Sequence, residues 1–150
     1  MFVQADFEVP RRLETEEFVL EPLGPEHNER DYAAWSASKE HIHATPGWTE
    51  SESWPREMTL EENLRDLERH RDDFRERRGF TYTVLDPGSG DVVGCVYIYP
   101  LPDSGYDARV LSWVRGDRAE LDVSLWRSVS AWVEAEWPFE KVEYAARASA

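Results

Sequence analysis

Leu111-Ser-Trp-Val-Arg-Gly-Asp-Arg-Ala-Glu-Leu-Asp-Val-Ser-Leu-Trp126 decides how this chain folds. Its first residues are apolar and suited to a strand. From Leu121 onward, Leu125, Val129 and Val133 recur at the spacing of one helix face. A strand therefore runs straight into an amphipathic helix. Many nucleotide- and coenzyme-binding folds place a glycine-rich turn at that junction, because the free N–H groups of a helix start favour phosphate. Here the junction carries Asp117, Glu120 and Asp122, which suit a helix start and repel a phosphate.

Working outward, Phe80–Leu85 and Val92–Tyr99 are apolar runs separated by Asp86-Pro-Gly-Ser-Gly90, the pattern of a β-hairpin. Ala108–Val114 is the strand before the acidic turn. The helix that follows is predicted over Arg118–Glu136, with Trp126 and Trp132 flanking its apolar face, and Trp137-Pro138 ends it. Val142–Arg147 reads as a last strand. Upstream, Glu17–Pro22 reads as the first strand, and Pro25 opens a helix that continues from Glu26 to Ser38 and buries Tyr32 and Trp35. A loop spans Thr45–Pro55. Thr59 with Glu62 forms a capping box for a further helix, whose face is Leu60, Leu64, Leu67 and Phe74 and whose stop is Gly79.

The predicted order is β-α-α-β-β-β-α-β. Adjacent strands imply antiparallel pairing, and the helix between the last two implies one parallel crossover. The fold class is α/β: a mixed, mostly antiparallel sheet with helices on both faces. One domain is expected across residues 1–150, with 1–16 as an N-terminal extension.

Composition narrows the function. The net charge is −14, and it is spread: residues 1–78 carry 20 acids against 11 bases. Nucleic acid and anionic membrane both require a basic footprint, so neither is an expected partner. Cys95 is the only cysteine, which excludes an internal disulfide and a cysteine metal cluster, and its apolar run marks it as a core residue. No apolar export segment follows Arg11-Arg12 and no stretch reaches membrane-spanning length, so a cytoplasmic location is the default expectation.

The element order and its wording resemble the GNAT superfamily of N-acetyltransferases. Phe18-Val-Leu-Glu-Pro-Leu-Gly-Pro25 is similar to that family's opening strand and turn. Asp91-Val-Val-Gly-Cys-Val-Tyr-Ile98 is similar to its third strand, and Leu111-Ser-Trp-Val114 to the strand before the coenzyme loop. The resemblance covers residues 17–147. It implies that an active member would take acetyl-CoA and an amine into the gap between the fourth and fifth strands. The main chain at Trp113, Val114 and Arg115 would bind the pantetheine arm.

Two departures qualify that implication. In the family an Arg/Gln-x-x-Gly-x-Gly/Ala loop holds the pyrophosphate, and glycine lets the backbone approach it. The corresponding positions here fall near Ala119, Glu120 and Asp122, and no register brings in a second glycine. At about 4 Å and partial burial, like charges cost on the order of a few kcal/mol. GNAT enzymes also continue past their fifth strand, where a Tyr often protonates the departing thiolate; Tyr144 lies on the last strand and does not inherit that role. The resemblance thus implies a shortened member with a degenerate acetyl-CoA loop. An open last-strand edge invites association, so a homodimer through that edge is expected.

Other candidates lie in the first half. His41-x-His43 would point to one side on a strand, with His27 or His70 as further ligands, but a polar loop is the simpler reading and no metal is expected. Trp48 and Trp54, in the Thr45–Pro55 loop, either seal the core or line a pocket. In the resembled family this segment helps form the acceptor site. With His41, His43, Glu50 and Glu52 nearby, it would suit a cationic amine. Tyr97 and Tyr99 share one strand face, opposite Val96 and Ile98. The Arg-rich end of the second long helix alternates with acids and reads as a solvated, ion-paired face.

The resulting expectation is a GNAT-like domain that has lost acetyl-CoA catalysis and serves as a small-molecule-binding or dimerisation module, with no cofactor. The substrate-side candidates are His41, His43, Trp48, Trp54, Tyr97 and Tyr99, and no residue is assigned a catalytic role. The alternative is an active acetyltransferase that moves an acetyl group from acetyl-CoA to an amine.

Overall fold

Alternation of side chains along three long strands builds the centre of the molecule. The computed structural model describes residues 1–148. Its sheet has six strands side by side in chain order: β1 (Leu13–Glu14), β2 (Val19–Pro22), β3 (Phe80–Leu85), β4 (Val92–Tyr99), β5 (Ala108–Val114) and β6 (Val142–Tyr144). Neighbours are antiparallel except β5 and β6, which run parallel because α4 (Leu121–Glu136) carries the chain between them. Helices α1 (Asn28–Ser36), α2 (Lys39–His43) and α3 (Leu60–Arg75) lie between β2 and β3. The mixed, mostly antiparallel α/β architecture is the expected one.

The pleat sends two apolar sets to opposite sides. Phe80, Tyr82, Val96, Ile98 and Val110 pack with Leu121, Leu125, Val129 and Trp132 of α4. Cys95, Tyr97, Leu111 and Trp113 face Ala34, Trp35, Ile42, Leu67 and Trp48. Helices therefore cover both faces, and Cys95 is fully buried as its apolar run implied. At Gly94 a Cβ would lie 2.5 Å from the main-chain oxygen of Trp113, so only glycine lets β4 approach β5 there.

The hairpin strands and β5 have the predicted bounds, and the capping box is present, with Thr59 Oγ1 accepting from Glu62 N at 3.0 Å. Several local readings are corrected. The first helix does not run through Ser38. Pro25–His27 is a 3-10 turn, α1 ends at Ser36, and the chain coils again as α2, which buries Ile42 completely. His41 and His43 thus sit on a helix, neither on a strand nor in a loop. Leu60 does not join the buried face of α3: it is 41% exposed at the first helical position, and Asn63 is buried in its place. A separate 3-10 turn, Gly116–Arg118, delays the start of α4 to Leu121. The strand expected to reach Arg147 ends at Tyr144.

The first residues are more than an appendage. Val3 is buried, Leu13–Glu14 adds an edge strand, and Tyr82 donates its hydroxyl hydrogen to Pro10 O at 2.6 Å. Arg77, at φ 63, reaches Gln4 O and Phe7 O at 2.6 and 2.9 Å. Among the described residues no helix is long and apolar enough to cross a membrane.

One feature of the sheet positions the site. β6 pairs with β5 only over Ala108–Val110, against Val142–Tyr144. Beyond Val110 the parallel strands part, and a gap opens beside Leu111–Val114.

Candidate functional site

Arg147 fills that gap. Its side chain is only 2% exposed. Nη2 donates to Ser112 O at 2.8 Å and to Ser112 Oγ at 3.2 Å, Nη1 donates to Ala145 O at 2.7 Å, and Nε donates to Asp122 Oδ2 at 2.9 Å. The planar fork of a guanidinium suits such a set of acceptors. Trp48 Nε1 donates to the same Ser112 oxygen at 2.9 Å, and the Tyr144 and Ser112 hydroxyls lie 2.6 Å apart. Burial pushes the Tyr144 phenol up to about 12. The Ser112 carbonyl of β5 is thereby already hydrogen-bonded within the protein.

The turn into α4 is equally self-contained. Arg115 grips Asp117 through two bonds, of 2.9 and 2.7 Å, and the guanidinium holds the Asp117 carboxyl below its ordinary value. Arg118 reaches Glu120 at 3.0 Å and Asp86 at 3.2 Å. The N–H of Gly116 donates to Ser38 Oγ at 2.9 Å, and that of Arg118 to Arg115 O at 2.9 Å. Each cation near the helix start has a carboxylate of its own, and these two amides are spent on the chain.

On the opposite face of the sheet, between α1, α3 and the Trp48–Trp54 loop, lies a cavity of about 390 Å³. Trp48, Trp54 and Tyr97 form its aromatic wall, Leu23, Met58 and Leu67 its aliphatic wall, and Asp31, Asn63 and His70 bring polar groups. The loop is braced from within. Thr45 Oγ1 donates to His41 O at 2.9 Å, His43 Nε2 lies 2.8 Å from Pro55 O, and Ser51 Oγ donates to Trp54 O at 2.6 Å. The rings then pack at steep angles to one another, with centroids 5.2 Å apart for Trp48 and Trp54 and 5.4 Å for Trp48 and Tyr97. Such offset and edge contacts fix large side chains at little entropic cost.

Asp31 is 4% exposed. Burial pushes its carboxyl up to about 6, against the opposing pull of the Asn63 hydrogen bond and of His27. Asn63 ties α3 to α1: its Oδ1 accepts from Trp35 Nε1 at 3.0 Å, and its Nδ2 donates to Asn28 Oδ1 at 2.9 Å and Asp31 Oδ2 at 3.1 Å. His70 holds Nδ1 3.0 Å from Thr81 Oγ1 and 3.1 Å from the Tyr99 hydroxyl, which donates to Asp73 at 2.9 Å. Burial pushes the imidazole down to about 4, so the ring is neutral at neutral pH.

The cavity brings together Trp48, Trp54 and Tyr97 of the residues singled out in sequence. It leaves Tyr99 outside, in the His70–Asp73 network. His43 braces the loop, and His41 packs against Gly116 with Nε2 buried and unpartnered. Trp113 and Val114 are buried; Trp113 Nε1 donates to the Tyr97 hydroxyl oxygen at 2.9 Å, and Arg115 sits in the acidic turn. No group of three metal-ligating side chains forms among the described residues. The outer edge of β6 has no strand partner among them.

Asp31, Asn63 and Arg147 belong to these sites although sequence reasoning does not single them out. Asp31 carried a signal, since it precedes Trp35 by one helical turn on what had to be the inner face. Arg147 carried none. The Arg-rich end of α3 is the ion-paired, solvated surface it was expected to be, with Arg65–Glu61, Arg69–Asp66 and Arg78–Glu76 contacts.

No protein-family model matches the chain, and no curated protein matches it in sequence. Solved structures do. A Vibrio cholerae protein assigned as a ribosomal-protein-serine acetyltransferase aligns over 95% of this chain and 75% of its own, at 12% identity and a TM-score of 0.69. RimL, the ribosomal L7/L12 alpha-N-protein acetyltransferase, aligns over 84% and 67%, at 13% identity and a TM-score of 0.61. The microcin C7 self-immunity acetyltransferase MccE, solved with acetyl-CoA and AMP, aligns over 85% and 69%, at 11% identity and a TM-score of 0.59. At these identities the likeness is one of fold. The chain has the GNAT fold.

Proposed function

We propose that this GNAT-fold chain binds a small molecule in the cavity beneath Trp48 and Trp54 and does not transfer acetyl groups. One observation carries the second half of that reading: the Arg147 guanidinium occupies the gap between β5 and β6 and takes the Ser112 carbonyl that faces it. The residues present do not fit acetyl-CoA. Its arm would have to displace a buried guanidinium bonded through all three of its nitrogens, and its pyrophosphate would meet Asp117 and Glu120, which neutralise Arg115 and Arg118. Breaking a buried ion pair costs about 3–5 kcal/mol.

The first half rests on the cavity. Its size falls within the range of small-molecule sites, its walls are aromatic and aliphatic, and it holds a few convergent polar groups with displaced titration. Trp48 serves both structures at once, its ring lining the cavity and its Nε1 bonded to the Ser112 oxygen. The likeness to MccE, solved with acetyl-CoA, supports the competing reading of an active acetyltransferase with an amine acceptor.

Calorimetric titration of acetyl-CoA at low salt, with a thermal-shift control, separates the two. The expected result is neither heat nor a melting shift at millimolar coenzyme. A micromolar dissociation constant, with a melting temperature that climbs with ligand as linkage requires, overturns the reading and restores acetyl transfer.

A further inference from the structure

Two polar atoms of the cavity's aromatic wall are already used within the protein. Trp48 Nε1 is bonded to Ser112 O, and the Tyr97 oxygen accepts from Trp113 Nε1. These rings offer an occupant their π faces, which carry the negative part of the ring quadrupole. Beside them stands Asp31, whose carboxylate is met by the Asn63 amide and by no Lys or Arg within ion-pair distance among the described residues. His27, on the adjoining turn, is engaged elsewhere: its Nδ1 lies 3.0 Å from Gly24 N and its Nε2 2.8 Å from Glu21 Oε2. A buried carboxylate without a counter-charge is unfavourable. A positively charged occupant would relieve it.

The geometry points to a small alkylated ammonium, tertiary or quaternary, as the ligand of this cavity, with Asp31 meeting its charge and Trp48, Trp54 and Tyr97 its alkyl shell. This rests on the ligand-binding reading above. A primary ammonium brings three donors. Here Asn63 Oδ1 is already taken by Trp35 and the Tyr97 oxygen by Trp113, and the other lining carboxylate, Asp66, is paired with Arg69, so acceptors beyond Asp31 are scarce. Aromatic faces suit a weakly hydrated cation, the basis of quaternary-ammonium recognition in aromatic cages. The other charges bordering the cavity do not cancel Asp31. Arg69 is paired with Asp66 at 3.4 Å, the exposed Arg56 donates to Glu57 O at 2.9 Å, and His70 is neutral.

The test titrates three probes of similar size into the intact chain: choline, its uncharged isostere 3,3-dimethylbutanol, and ethanolamine. Choline is expected to bind about tenfold or more tightly than either of the others. Asp31→Asn is expected to weaken choline about tenfold while leaving dimethylbutanol unchanged, and Trp54→Leu to weaken choline with the fold intact by near-UV circular dichroism. Equal binding of the uncharged isostere overturns the cationic class and leaves the ligand-binding reading standing. Tighter binding of ethanolamine overturns the alkylated class. No binding by any probe overturns the inference and the ligand reading of the cavity together, whereas the acetyl-CoA titration decides acetyl transfer independently.

Discussion

Arg147 Nη2 lies 2.8 Å from the main-chain oxygen of Ser112, across the gap where β5 and β6 part. Thirty-five positions separate the two residues in the chain, and the contact closes the opening that the GNAT fold leaves between diverging parallel strands. Asp122 completes it. A carboxylate at the start of α4, which by itself only favours the helix dipole, here orients the guanidinium through a 2.9 Å bond to Nε. The same acidic stretch that disfavours phosphate thus also supplies the carboxylate that orients the residue filling the cleft.

Replacing Arg147 by Ala leaves Asp122 without its cation and removes a donor from Ser112. The expected loss is about 3 kcal/mol, the usual scale for stripping one partner from a buried pair. Lys keeps the charge but not the fork, so Arg147→Lys should fall between wild type and Ala. Urea unfolding reads both. Because the pair is buried, the loss should barely change between low and high salt; wild-type stability in the Ala variant would remove Arg147 from its assigned role.

Asp31 makes stability depend on pH in an unusual direction. Burial raises the folded carboxyl to about 6 from its ordinary 3.8, while Asn63 and His27 oppose the shift and Asp66 adds to it. The folded chain therefore holds a proton that the unfolded chain has released. Stability from this group falls as pH rises from about 4 to about 6 and is then flat. Asp31→Asn removes the penalty and keeps an acceptor for Asn63, so it should stabilise the chain at pH 7 by on the order of 2 kcal/mol. The gain should shrink towards pH 4. Denaturant titrations of both proteins at several pH values measure it, and a gain that grows on acidification contradicts the assignment.

Cys95 offers a built-in reporter. It is fully buried between β3 and β5, and burial raises its thiol well above the ordinary value. A thiol reagent at pH 8 should label the native chain only through opening of the sheet, and label it at once in denaturant. Rapid labelling of the native protein would show that the central strands open far more readily than their packing implies.

The parts of this fold legible in the chain are those set by local period. Apolar runs bounded by turn residues marked β3, β4 and β5 to the residue, and the four-residue recurrence of Leu121, Leu125, Val129 and Val133 marked the buried face of α4. Thr59 and Glu62 announced α3 because a cap is a contact between residues three apart. The acidic turn and the buried Cys95 were legible for the same reason: each depends on neighbours in sequence.

What tertiary structure alone decided is everything that depends on distant partners. His41 and His43 lie on a helix because Ile42 finds a place in the core beside Trp35 and Trp113, a fact that no local pattern carries. Asp31, Asn63 and His70 come from α1 and α3, and they meet Tyr97 of β4 only once both helices are laid on the sheet. Trp48 and Arg147 reach the Ser112 oxygen from 64 positions before it and 35 after it. Local periodicity specifies which face of an element is apolar. Which polar group that face will bury, and against what, is set by the packing of elements remote in sequence.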